Sequence, residues 1–218
     1  MASEISLVDR FSEKPPSAYF DESNSDKTGV RHDYGNLYDW LFASLLFQNR
    51  MQPIRVLEIG VTMFGEGSGH AFAKMPFVEK FVGLDVNPIQ EDFGEKGVFL
   101  KVDAYTEQGV QDAARHGPYH LLIDDAEHIH DQQVAFFRMY TSLCATPGVM
   151  VCEDVPKLTI AKRLKAIKDP SLLHVRVPGS LIASKGKLDN NVLLKTNMIG
   201  LTQQSKRWSK GKEEKCEF

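Results

Sequence analysis

The 218-residue chain has no long apolar run. Stretches such as Leu41 to Phe47 fall far short of the roughly 18 to 20 residues that span a bilayer, which excludes a membrane-crossing helix and a membrane partner. The first residues, Met1 to Arg10, mix acids with single apolar side chains and lack the basic and apolar regions of a secretory signal. Cysteine is scarce. Cys144, Cys152 and Cys216 form no CxxC pair and cannot all be bonded within the chain, so a reducing, cytoplasmic location is expected and a thiolate metal site is not. Positive charge is not in excess either: 26 Lys and Arg stand against 29 Asp and Glu. That balance removes the general basic surface on which duplex binding depends, and leaves only a local patch available to nucleic acid. What remains is a composition of 42% hydrophobic, 25% charged and 10% aromatic residues, that of a chain with a packed core.

Residues 1–35 are polar and turn-rich, with Pro15-Pro16 and the run Asp21 to Asp26, and read as an N-terminal arm outside the core, able to act as a lid over cofactor or substrate. Residues 36–200 read as one domain. Leu37, Trp40, Leu41 and Leu45 follow the helical period, with Phe42 and Leu46 widening the stripe. Apolar runs then alternate with helical patterns. Val56 to Ile59, Phe81 to Leu84, Val98 to Val102, Leu121 to Ile123 and Val149 to Cys152 are strands. His70 to Met75, Glu107 to Arg115 and Asp131 to Leu143 are crossover helices. After a helix with basic outer positions, Lys157 to Lys168, two late strands at Leu173 to Val177 and Asn191 to Thr196 predict an antiparallel closing hairpin. The fold expected is α/β: a Rossmann-like, doubly wound, seven-stranded sheet closed by that hairpin. Residues 201–218 read as a flexible tail.

Acids stand at the strand ends: Glu58, Asp85, Asp103, Asp124-Asp125 and Glu153-Asp154. Any one of them is explained by capping the next helix. Five at successive strand ends are better explained by the ligand crevice that an open parallel sheet forms there. After the first strand come Gly60, Gly65, Gly67 and Gly69, which allow close backbone approach to a ligand. Glu58 inside this turn repels a pyrophosphate and suits a cationic ligand, so a nucleoside carrying a sulfonium and an amino-acid tail fits better than a dinucleotide. Asp85 is placed to take a ribose diol, and Asp103 to accept from an adenine amino group. Asp124-Asp125-Ala126-Glu127-His128 and Glu153-Asp154 belong to neighbouring loops, where converging carboxylates require protons or a hard cation such as Mg²⁺. His128, three residues after Asp125, suits proton transfer near neutrality; the competing reading is a loop histidine that caps the next helix. His130 is more simply a loop residue.

The order of these motifs from Leu57 to Val155 resembles a class I S-adenosylmethionine-dependent methyltransferase. More narrowly it resembles the metal-dependent macrocin and mycinamicin sugar O-methyltransferases and their cephalosporin-hydroxylase-like relatives. The narrow likeness rests on Asp26-Lys27 through His32, Tyr34 and Tyr38, on Asp124 to His128, and on Glu153-Asp154. Ala126-Glu127 stands where that family has Gly-Ser. The resemblance implies that Asp125, Glu153 and Asp154 hold Mg²⁺, with His128 the general base beside Asp125. It implies that Glu58, Gly60, Ser68, Asp85, Asp103 and Asp124 bind S-adenosylmethionine, and that Lys27, His32 and Tyr34 close over it. A methyl group would pass to a hydroxyl of a sugar or glycoconjugate, and a homo-oligomer is compatible with this. The alternatives are a metal-dependent O-methyltransferase of a phenolic molecule, and a non-catalytic S-adenosylmethionine-binding or RNA-binding module that uses the Lys157 to Lys168 helix.

Overall fold

Seven short runs of β-branched and aromatic residues pair into one sheet in the computed structural model of the chain, which describes residues 6–28, 32–61, 67–88, 93–156, 159–169, 171–177 and 191–198. The strands are β1 (Ile54–Ile59), β2 (Val78–Asp85), β3 (Gly97–Lys101), β4 (Tyr119–Asp124), β5 (Cys144–Cys152), β6 (Leu172–Arg176) and β7 (Asn191–Thr196). Their order is β3-β2-β1-β4-β5-β7-β6. The pairs among β1 to β5 are parallel, while β7 runs antiparallel to both β5 and β6. The sheet is Rossmann-like and closed at one edge by an antiparallel pair, as the spacing predicts. The order reverses between β1 and β4, so the loops leaving these two strands diverge and open the crevice characteristic of such a switch point. Gly65, Lys157, Cys216 and the 201–218 tail lie outside the described residues.

The helices are α1 (Leu7–Glu13), α2 (Pro16–Glu22), α3 (Gly35–Gln48), α4 (Gly67–Lys74), α5 (Glu107–Ala114), α6 (His130–Met139) and α7 (Ile160–Ile167). The two-residue strand period sorts the core into two layers. Ile54 and Val56 of β1, Leu121 and Ile123 of β4, and Val149 and Val151 of β5 pack under α2, α3 and α4. Leu57, Ile59, Leu122, Met150 and Cys152 face α5, α6 and α7. Both faces are covered, which is why these strands read as continuous apolar runs. No helix among the described residues is long and apolar enough to cross a membrane.

Two expectations change. On α3 the buried stripe is Tyr38, Leu41, Phe42, Leu45 and Leu46, and Trp40 sits at its edge, 45% exposed. The segment before residue 36 is not outside the core. Its polar composition hides two short helices, and Phe20 of α2 is fully buried, 5.2 Å from the ring of Phe72 and 5.3 Å from that of Tyr38. Apolar burial thus ties the arm to the sheet. Phe20→Ala should lower global unfolding free energy by about 3 to 5 kcal/mol, the cost of deleting a buried aromatic ring. Urea denaturation checks it: a loss confined to a separate early transition would mean that the arm folds apart from the sheet.

Candidate active site

The pleat that sorts the core also sorts the acids. Glu58 follows Ile54 and Val56 on the α2–α4 face of the central strand and is fully buried. A carboxylate there needs partners, because leaving a buried charge unpaired costs on the order of several kcal/mol in lost hydration. Ser68 Oγ, at the start of α4, donates to Glu58 Oε2 at 2.7 Å. The other oxygen is 3.0 Å from Lys27 Nζ. Glu58 and Ser68, expected in the cofactor pocket, therefore engage each other at the floor of the turn. Burial raises the Glu58 carboxyl, with Lys27 opposing. Gly60 follows at φ +88°, where an added Cβ would lie 2.5 Å from the Asp125 carbonyl oxygen. Only glycine lets the turn after β1 lie against the loop after β4.

Lys27 is 1% exposed, and its ammonium is the hub of the site. Nζ lies 2.8 Å from Asp125 Oδ2 and 3.0 Å from each Glu153 oxygen as well as from Glu58. Burial alone would drive its pKa down; Asp125, Glu153 and Glu58 together reverse this and hold it well above the usual lysine range. Tyr38 on α3 donates to Glu153 Oε1. Tyr34 donates to Asp154 Oδ1 at 2.5 Å, and His32 Nδ1, stacked on Tyr34, lies 3.3 Å from the same oxygen. The arm residues expected to close over a cofactor close over the acids.

On the open side, donor atoms of Asp125, His128 and Asp154 all lie within 4.8 Å of one another. His128 Nε2 is 3.5 Å from Asp154 Oδ2. His128 has φ +58°, and its carbonyl accepts from Arg163 Nη2 at 3.1 Å. Arg163, on the basic helix expected to be a solvated face, is 2% exposed; it also donates to Gln133, which bonds the Glu153 carbonyl. The loops after β4 and β5 thus share one buried support that the charge pattern of α7 did not reveal. Burial, then Asp125, raises the Asp154 carboxyl, with His32, Tyr34 and His128 pulling the other way. Burial and Asp125 also raise Glu153 against Lys27. Glu153 is outside the three-residue cluster, being held by Lys27 and Tyr38.

Asp85 ends β2 and accepts from Val61 N at 3.1 Å and from Asn87 N at 2.9 Å. Asp103 accepts from Tyr105 N at 2.9 Å, an Asx turn that fixes the loop after β3. Asp85 is thus the last residue of β2, and Asp103 lies two residues beyond β3. Asp124 does not join Asp125: following Leu122 on the α5–α7 face, it is 1% exposed and accepts from Tyr105 OH at 2.5 Å. Tyr105 escaped notice in the sequence, where nothing marks a tyrosine two positions after Asp103 as an acid's partner.

No family model matches the chain. It is 31% identical over 144 residues to the 8-demethyl-8-(2-methoxy-alpha-L-rhamnosyl)-tetracenomycin-C 3'-O-methyltransferase of Streptomyces olivaceus, covering 60% of this chain and 34% of that protein. MycE methyltransferase from the mycinamycin biosynthetic pathway, in complex with Mg, S-adenosylhomocysteine and mycinamycin VI, matches with a TM-score of 0.62 at 21% identity, over 86% of this chain and 55% of that one. The O-methyltransferase from Bacillus cereus in complex with S-adenosylhomocysteine matches with a TM-score of 0.51 at 15% identity, over 72% of this chain and 80% of that one. The fold is therefore that of the class I S-adenosylmethionine-dependent methyltransferases. Over its matched residues the chain is similar to the tetracenomycin-C enzyme, in agreement with its resemblance to the macrocin and mycinamicin type. It spans about a third of the length of that curated relative and about half of MycE.

Burial pushes the Asp124 carboxyl up to about 6, with the Tyr105 hydrogen bond and His128 opposing. Between about pH 4 and 6 the native state therefore holds a proton that the unfolded chain has released, so this contribution to stability is lost as pH rises through that window. Asp124→Asn removes it. Relative to the variant, the wild type should lose up to about 3 kcal/mol across the window, the equivalent of roughly two pKa units. Urea denaturation of both proteins with chelator present, at intervals from pH 4 to 8, reads the difference; parallel curves would mean that Asp124 titrates alike in both states.

Proposed function

We propose that the chain transfers a methyl group from S-adenosylmethionine to a sugar hydroxyl, with Mg²⁺ or a similar divalent ion. The observation that carries this reading is the convergence of Asp125, His128 and Asp154 beside the Gly60 turn. The donor set fits a hard ion: Asp125 and Asp154 offer carboxylate oxygens on the open side. Glu153, which the resemblance sets beside them, is turned to Lys27 and Tyr38 and supports the cluster from behind. The turn fits the cofactor, since Gly60 carries no side chain, Asp85 ends the neighbouring strand, and Asp103 follows the next.

When bound, the ion supplies a Lewis acid that lowers the pKa of the acceptor hydroxyl. His128 takes that proton at Nε2, where Asp154 stabilises the imidazolium that forms. Arg163 holds the His128 backbone so that the ring stays at the crevice. Asp85 takes the ribose diol and Asp103 the adenine amino group. Tyr34 and His32 close the far side of Asp154 and exclude water from it. Imidazole, phenol and carboxylate groups surround the acceptor position and suit a polyol better than the apolar slot a phenol would need. The likeness to a rhamnosyl-tetracenomycin methyltransferase supports the same acceptor class.

A second reading of His128 has its own support, because its ring nitrogen is among the three clustered donors and could itself ligate the ion. Two variants separate the readings. As a base, His128→Ala should slow single-turnover methyl transfer to a rhamnosylated acceptor by roughly 10² to 10⁴-fold and leave Mn²⁺ affinity unchanged. A ligand role predicts instead that Mn²⁺ affinity falls with the rate. Asp154→Asn should weaken Mn²⁺ binding while S-adenosylhomocysteine still raises the melting temperature. Full turnover in excess chelator, or no thermal shift with S-adenosylhomocysteine, would overturn the proposed function.

A further inference from the structure

Four carboxylates, those of Glu58, Asp125, Glu153 and Asp154, come together where the arm meets the sheet, and among the described residues only one lysine lies within ion-pair distance of them. Its ammonium contacts three of the four at 2.8 to 3.0 Å. The fourth, Asp154, is on the side of the proposed divalent ion. One of Lys27's three partners, Asp125, also belongs to the donor cluster that would hold that ion. The layout is that of a two-cation centre: Asp125 shared in the middle, Glu58 and Glu153 on the lysine side, Asp154 and His128 on the other. Enzymes with two divalent ions about 3.5 to 4 Å apart arrange acids in this way.

We propose that Lys27 is a positioning residue that serves as the second, tethered cation of this centre, and so limits the site to one divalent ion. The inference rests on the metal reading above. Lys27 acts through the acids and touches no reacting atom. Its backbone is fixed by the arm: Lys27 N donates to Ser25 Oγ at 3.3 Å, and Tyr34 N donates to the Lys27 carbonyl at 2.9 Å. The charge therefore reaches the acids only when the arm is docked. Residue 27 fills the space an ion would need, and its charge repels one. With the side chain cut back, Glu58, Asp125 and Glu153 would offer oxygens from three strand ends and room for water, a fair site for Mn²⁺, which tolerates less regular coordination than Mg²⁺.

The test compares the wild type with Lys27→Ser and Lys27→Arg in the whole chain, using Mn²⁺ alone. Ion stoichiometry is read from titration calorimetry and from the electron spin resonance of free Mn²⁺. Lys27→Ser should bind one more ion per chain than the wild type. Its melting temperature should also rise more with Mn²⁺ than that of the wild type, because the added ion replaces the lost ammonium. Lys27→Arg keeps a cation on the same acids and should match the wild-type stoichiometry. If Lys27→Ser is unfolded without metal, saturating Mn²⁺ should restore a cooperative transition; failure to fold even then overturns the proposal. So does a Lys27→Ser protein that binds as many ions as the wild type, or a Lys27→Arg protein that binds an extra one. A wild type that binds no ion overturns the metal-dependent function and this inference with it, whereas a wild type and a Lys27→Ser protein that each bind one ion overturn this inference alone.

Discussion

The constraint on which the structure depends is electrostatic: acids placed inside a protein must find partners that the protein also supplies. Glu58 sits in the central strand with no exposure. Asp125, Glu153 and Asp154 stand one loop away, and bringing them together costs Coulomb repulsion on top of desolvation. Among the described residues, the sheet supplies no cation that reaches them. The arm does, through Lys27, with the phenols of Tyr34 and Tyr38 and the ring of His32 filling the remaining acceptor positions. The arm is held by two unlike means, its apolar side against Phe72 and Tyr38 and its polar side against the acids. Neither the sheet nor the arm makes a plausible folded unit alone, because the sheet would keep buried carboxylates without a cation and the arm a buried ammonium without acids.

Strand alternation turns two acidic pairs into a functional division. Adjacent residues leave a strand on opposite faces, so Asp124-Asp125 cannot act as a pair. Asp124 drops to the α5–α7 side and is consumed by Tyr105, which joins the loop after β3 to the end of β4. Asp125 stays at the crevice. One strand over, Glu153 takes Lys27 and Tyr38, while Asp154 lies between Tyr34 and His32 at one oxygen and His128 at the other. The doubled acids thus do four different jobs: anchoring a neighbouring loop, sharing a lysine, fixing that lysine from the other side, and joining the arm to His128.

Much of this was legible in the sequence because it follows from periodicity. The five parallel strands show as short continuous apolar runs and the crossover helices between them as 3.6-residue patterns, and the strand-end acids follow from their placement. The arm was not legible. Leu7, Phe11, Tyr19 and Phe20 are too few and too widely interrupted by polar residues to show as a core pattern, though Phe11 and Tyr19 pack on Phe77 and Phe20 on Phe72. The inward turn of Glu153 was likewise hidden, since sequence places an acid at a strand end without saying which face it takes or what waits there. One signal did exist: Glu58 lies three positions into an apolar strand run, and such an acid requires a cation from elsewhere in the chain. Lys27 and Arg163 look like any surface lysine and arginine until the contacts that bury them are seen.

Gly60 links the two halves of the site more tightly than their separation in sequence suggests. Its amide donates to the Leu84 carbonyl and so ties the turn to the end of β2, where Asp85 stands. The Asp125 amide donates to the Ile59 carbonyl and ties the acid loop to the residue just before the turn. The missing Cβ lets Asp125 and Ala126 lie against Gly60 itself. Any displacement of the turn after β1 therefore moves the backbone that presents the acid loop. For a reaction requiring a methyl donor and an activated hydroxyl in line, this is useful, since positioning is worth several kcal/mol only if both reactants are fixed in one frame. The frame here is three hydrogen-bonded strand ends and a glycine, with the buried ammonium of Lys27 underneath them.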